Sequence, residues 1–130
     1  MDEAAVTRWL TDYVAAWRSY DRDSIAELFS EDAVYRYRPW DDPETTTNGR
    51  DAIVASWFED PDAQGSWTAE YRPWVVDGDR AVAVGVSRYL ADDRATVEQE
   101  YHNVFLLVFD ADGRCREFTE LYMLRPAGGS

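Results

Sequence analysis

Residues 101–123 read YHNVFLLVFDADGRCREFTELYM, two apolar runs flanking Asp110-Ala111-Asp112-Gly113. Asp-Gly between β-formers is the strongest short-range signal for a hairpin. Same-face residues recur at every second position of a strand. Placing Phe109 opposite Arg114 therefore sets Leu107 against Arg116, Phe105 against Phe118, Asn103 against Glu120 and Tyr101 against Tyr122. One wall gathers Phe, Tyr, Asn and Glu, which is how a small-molecule pocket begins. His102, Val104, Leu106, Val108, Cys115, Glu117, Thr119, Leu121 and Met123 fall on the opposite face. The first strand is apolar on both faces and is expected to be covered on both.

Upstream, the chain reads as a β-meander: Trp67 to Val76, a turn at Asp77-Gly78-Asp79, Arg80 to Leu90, and a loop from Ala91 to Thr96. Setting Val76 opposite Ala81 and Ala91 opposite Thr96 carries the face assignment across. Val82, Val84, Val86 and Arg88 then join the inner wall, with Val75, Tyr71, Ala69 and Trp67 beyond. Ala81, Ala83, Gly85 and Ser87 are left on the outer face, small enough for another sheet to approach. A β-bulge would flip part of this assignment.

Before the meander, Val6, Trp9, Leu10, Tyr13, Val14, Trp17 and Tyr20 follow the spacing of an amphipathic helix over Ala5 to Tyr20. A second short helix is predicted for Ser24 to Phe29, a strand for Ala33 to Tyr37, and a third helix for Arg50 to Phe58. Arg38-Pro39-Trp40 ends the strand, because proline removes a donor and restricts its predecessor. The DDPETTTN run at 41–48 reads as a rim loop, and residues 127–130 as a frayed tail.

At 130 residues the chain is expected to form a single domain with a full core and no staples. Its formal net charge is −13, and all 13 basic residues are arginine. Such an acidic excess argues against nucleic acid and against anionic membrane surfaces. Cys115 is the only cysteine, so no intrachain disulfide is available. The opening Met-Asp-Glu carries no signal-peptide core and no apolar run reaches spanning length, so a soluble cytoplasmic protein is expected. One histidine, one cysteine and scattered acids make no metal-ligand spacing, and the glycines make no phosphate-cradling motif. No cofactor is expected.

WLTDYVAAWRSYDRDSIAELFSEDAVY at 9–35, Gly-Arg-Asp-Ala-Ile at 49–53 and FDADGRCREFTELYM at 109–123 together resemble the nuclear transport factor 2-like superfamily. Within it the chain is most similar to the SnoaL-like group, named for a polyketide cyclase, over about residues 6–126. The resemblance implies an α+β cone in which a strongly curved antiparallel sheet wraps the first helix and leaves a pocket at the wide end. Many members are homodimers through the outer sheet face. The superfamily hosts isomerases, cyclases, epoxide hydrolases, dehydratases and non-catalytic binding proteins, so fold alone does not fix chemistry. Tyr13 matches the first-helix tyrosine that ketosteroid isomerases use as an oxyanion donor. The position of their general-base aspartate is Tyr37 here, and their protonated-acid position falls near Phe105.

Glu120 is the one acid placed on the inner wall by strand parity. Among Phe105, Phe118, Tyr101 and Tyr122, a carboxyl loses solvation of its charged form, and its pKa moves toward the range of acid/base work. The alternative is a structural acid tied to Arg88 or Asn103. Tyr13 and Asn103 are its candidate orienting donors, and Trp17, Tyr37, Trp40, Trp57, Tyr71, Arg88 and Tyr101 its candidate substrate wall. Arg88 either pairs within the wall, binds an anionic group, or snorkels to solvent. His102 falls on the outer face with Glu100, which disfavours a histidine-based nucleophilic site. The sequence thus points to a cofactor-independent acid/base enzyme of cyclase, isomerase or hydratase type acting on a hydrophobic carbonyl compound. A non-catalytic ligand-binding or interaction module on the same cone is the alternative.

Overall fold

In the computed structural model, which describes residues 1–126 apart from 41, 43 and 44, the chain enters helix α1 (Glu3–Ser19) through a cap. The Asp2 carboxylate accepts from the Ala5 N–H at 2.8 Å, satisfying a donor the helix itself cannot. Tyr20 closes the helix in the left-handed region (φ 49°), its N–H returning to the Ala16 carbonyl. Asp21 caps α2 (Arg22–Glu27) at once, so that helix starts before the predicted Ser24. Phe29 passes into β1 (Phe29–Arg36), four residues earlier than predicted.

The remaining elements are β2 (Thr47–Asn48), α3 (Arg50–Trp57), β3 (Trp67–Asp77), β4 (Arg80–Leu90), β5 (Val97–Phe109) and β6 (Cys115–Leu124). They form one curved, unclosed six-stranded sheet in the order β2-β1-β6-β5-β4-β3. The cone architecture is as expected. The sheet is not wholly antiparallel, however, because β1 runs parallel to β6. The chain leaves β1 for the far edge and returns through three hairpins, which brings β6 back in the direction of β1. The predicted rim loop lies partly outside the described residues, and within it Thr47 and Asn48 pair with β1. The predicted tail at 127–130 lies outside them altogether.

Helix α1 sets Val6, Trp9, Leu10, Tyr13 and Ala16 into the concave face of the sheet. Phe29, Phe105, Phe109 and Phe118 meet them there, all essentially inaccessible to solvent. Trp9 packs edge-on against Phe29 and Phe109, and Tyr13 stacks on Phe118 at 5.6 Å. Each such ring contributes roughly 1.5–3 kcal/mol through burial.

Bulges account for the departures from the expected faces. Ala91 and Thr96 do pair across the turn, but the ladder slips between Tyr89 and Leu90, so Phe105 faces Ala83 and Tyr101 faces Ser87. A one-residue slip exchanges the two faces of a strand. Ala81, Ala83, Gly85 and Ser87 therefore point inward, and Val82, Val84, Val86 and Arg88 outward, the reverse of the sequence reading. A second bulge between Pro73 and Val75 reverses the slip again. That returns Tyr71, Ala69 and Trp67 to the inner side as expected, while Val75 turns out to solvent. A third, at the start of β6, pairs Phe109 with Cys115 and buries the thiol in the core instead of on the outer face. The β5–β6 register sits two residues from the expected one, with Phe105 opposite Glu120 and Asn103 opposite Tyr122. An even shift leaves Glu120 on the inner wall.

Candidate functional site

The wide end of the cone holds a cavity of about 240 Å³. Helix α1 presents Tyr13 and Trp17 to it, at i and i+4 positions that share a helix face, and Tyr20, the left-handed residue that closes the helix, follows them. Tyr35 and Tyr37 come from β1 and its exit, Tyr71 from β3, Ser87 and Tyr89 from β4, and Glu120 from β6. Trp57 and Ser56 of α3 close one side, with Asp60 and Asp62 from the loop that follows.

Glu120 is the centre of this arrangement. The Tyr35 hydroxyl donates to its Oε2 at 3.0 Å. Tyr35 lies flat on Phe118, 4.5 Å between centroids, and its neighbour in the parallel register is that same Phe118. Packing thus fixes the phenol that fixes the carboxylate. Burial raises the Glu120 pKa, and the Tyr35 hydrogen bond opposes that rise without cancelling it. Burial also raises the phenols of Tyr13 and Tyr35, with the Glu120 charge adding to it, so both remain proton donors at neutral pH. Tyr71 and Tyr89 are shifted up in the same way.

A second carboxyl stands at the open end. Trp17 Nε1 donates to Asp62 Oδ2 at 3.0 Å, and the Asp62 N–H is held by the Tyr20 hydroxyl at 2.7 Å. Its pKa is raised by burial, against the lowering effect of the Trp17 hydrogen bond, and Asp60 repels its charge further.

Glu120, Tyr13, Trp17, Tyr37, Trp57 and Tyr71 line the cavity, as the sequence reading placed them. Phe105 and Phe118 lie behind the wall in the core. Asn103 is also behind it: its amide donates to the Ser87 hydroxyl at 3.0 Å, so it supports a wall residue instead of facing the cavity. Tyr101 stacks edge-on with Tyr89 and Tyr122 outside the lining, and Tyr122 itself is 59% exposed. Trp40 is 77% exposed and does not reach the wall.

Arg88 is corrected from the inner wall to the outer face. There its Nε donates to Glu100 at 2.8 Å, and His102 and Arg125 converge on the same carboxylate. Arg88 therefore cannot be the structural partner of Glu120. His102 is on the outer face, as the parity argument placed it.

Sequence reasoning missed Tyr20, Tyr35, Tyr89, Asp60 and Asp62. Tyr20 and Tyr35 carried a signal, as continuations of the Tyr13 helix face and of the Tyr37 strand face. Asp62 carried none beyond ending a helix. Among the described residues no group of three or more His, Cys, Asp or Glu side chains is placed to hold a metal ion, and no helix is long and apolar enough to cross a membrane.

The family model for the SnoaL-like domain matches residues 10–118, and the chain belongs to that family. No curated protein matches the sequence. Among solved structures, the chain is similar to the epoxide hydrolase/cyclase-like enzyme SalBIII, which acts in pyran ring formation in the polyether salinomycin. That similarity has 19% identity and a TM-score of 0.70, covering 94% of this chain and 93% of that one. A Mycobacterium tuberculosis LEH-like epoxide hydrolase matches at 13% identity and TM-score 0.64, over 93% of this chain and 84% of its own. A ketosteroid isomerase-like protein from Erwinia carotovora atroseptica matches at 15% and 0.65, over 93% and 95%. At these identities the likenesses establish the fold.

Proposed function

Starting from membership of the SnoaL-like family, we propose that this chain is a cofactor-independent acid/base enzyme of cyclase, isomerase or hydratase type. Its substrate is a small hydrophobic carbonyl compound held in the aromatic cavity. The observation that carries the reading is Glu120, a carboxyl facing the cavity with a raised pKa and one fixed phenol donor. A carboxyl perturbed by burial and placed in a cleft is a functional-site candidate with a stated physical cause.

In this reading the acid form of Glu120, which burial favours, gives its proton to the substrate oxygen as negative charge develops there. The carboxylate left behind is steadied by Tyr35 and then takes a proton from the reacting carbon or hydroxyl. Tyr13, whose phenol stays protonated, supplies a second donor to the same oxygen. General acid–base catalysis of this kind contributes typically 10²–10⁴-fold.

The test is a thermal-shift screen of small aromatic ketones and lactones, with turnover of each hit followed in the parent and in Glu120→Gln. The variant is expected to bind the hits and to lose at least about 100-fold in kcat. Equal turnover in the two proteins would remove Glu120 from the chemistry. Binding without turnover in either would leave a ligand-binding module.

We propose also that the protein pairs with a second copy through its outer sheet face. Val82, Leu106 and Val108 lie there around a shallow depression, with Val84, Val86, Val104 and Met123 alongside. The chain as a whole is strongly acidic, yet on this face acids are matched by arginines: Arg36 with Glu117 at 3.3 Å, and Arg88 and Arg125 with Glu100. Two copies could therefore meet here without the repulsion the net charge would impose elsewhere.

A further inference from the structure

The walls of the cavity are one-sided in charge. Glu120, Asp62 and Asp60 face it, and among the described residues no arginine or histidine does. The nearby arginines are turned away: Arg18 lies over the Trp67 ring at 5.6 Å, Arg22 over Phe58 at 4.3 Å, and Arg88 is on the outer face. The hydrogen bonds the two half-buried acids receive come from neutral donors, Tyr35 for Glu120 and Trp17 for Asp62. In each case one carboxylate oxygen is engaged and the other has no hydrogen bond among the described residues. Between the acids the wall is aromatic, with Trp17 and Tyr89 6.4 Å apart and Tyr89 within electrostatic reach of both carboxylates. Ring faces attract cations, and carboxylates taken out of water without a cationic partner gain most from one.

We propose that this cavity selects ligands carrying a protonated amine, with Asp62 receiving the ammonium at the open end while Glu120 faces the rest of the molecule. The proposal rests on the reading of this cavity as the working site, and adds the charge of what enters it. A carboxylate-bearing ligand meets three acids and no base, and is rejected. The ligand is also small: an apolar cavity of about 150 Å³ admits benzene, so 240 Å³ accommodates a single substituted ring.

The experiment compares 2-phenylethylamine, 2-phenylethanol and phenylacetate at pH 7, titrated into the intact protein by calorimetry and by tryptophan fluorescence. Trp17 and Trp57 in the wall report occupancy. The amine is expected to bind at least about tenfold more tightly than the alcohol, and phenylacetate most weakly. Asp62→Asn is expected to bring the amine within about threefold of the alcohol while leaving the alcohol's affinity unchanged. Equal affinity of alcohol and amine in the parent would overturn the charge selection but not the site. Failure of all three to bind would overturn both. Should Asp62→Asn not fold, the Asp62 carboxyl carbon in the parent is followed by NMR: a shift on adding amine but not alcohol supports the assignment, and no shift overturns it.

Discussion

At the scale of single residues, Glu120 couples the site to stability with a definite sign. Burial raises its pKa above the ordinary 4.5. Between 4.5 and the raised value the folded protein holds more protons than the unfolded one, so stability falls as pH rises through that window. Glu120→Gln has nothing to titrate. Its stability relative to the parent should therefore grow as pH rises through that window and then level off, as measured by urea unfolding at a series of pH values. A pH-independent difference would show that burial does not perturb the group. The phenols of Tyr13, Tyr35, Tyr37, Tyr71 and Tyr89 around Glu120 do not titrate in that range, and Asp62 and Asp60, which share the cavity, are common to both proteins, so the difference between them isolates Glu120. Glu120 itself was legible from sequence because strand parity survives an even register shift. Asp62 was not, since a loop residue has no parity to read.

At the scale of elements, the faces of β4 were misread and the reason is local. The turn at Ala91–Thr96 is paired as its sequence suggests, but a bulge one residue further on inverts the strand. Nothing in Tyr89-Leu90 announces it. The hairpin of β5 and β6, the three helices and the order of the meander were readable because they rest on periodicity over many residues. The inversion gives Gly85 a role that the sequence reading did not assign. With Gly85 turned inward beside Tyr71, a Cβ there would stand 2.3 Å from the Tyr71 ring and closer still to the Glu70 carbonyl. Gly85→Ala should therefore cost about 1–3 kcal/mol, in the range of overpacked cores, and should displace Tyr71 from the cavity wall. Chemical denaturation and the near-ultraviolet circular dichroism of the aromatic cluster measure the two effects. Unchanged stability together with unchanged dichroism would contradict the close approach.

At the scale of the whole molecule, assembly turns on the outer face of the sheet. Inversion of β4 moves Val82, Val84 and Val86 onto it and the small residues off it. The outer face of β4 is therefore bulkier than the row of small residues the sequence suggested. Leu106 is 39% exposed and Met123 75%, in two depressions of that face that also hold the outward valines. Leu106→Asp would place a charge at the centre of that surface and should convert a dimer to monomers in sedimentation at micromolar concentration. A parent that already sediments as a monomer would remove the pairing proposal while leaving the cavity untouched.

Glu120 faces the cavity as an acid raised by burial and tempered by one phenol, and NMR titration of the glutamate side-chain carboxyl carbons reads both effects. Tyr35→Phe removes the donor to Glu120, and a hydrogen bond to a charged group is worth about 1.5–3 kcal/mol, or about one to two pKa units. The Glu120 resonance is expected to titrate above 4.5 in the parent, to be absent in Glu120→Gln and to move higher still in Tyr35→Phe. A Glu120 resonance that titrates at or below the ordinary value, or that Tyr35→Phe leaves unmoved, would contradict it.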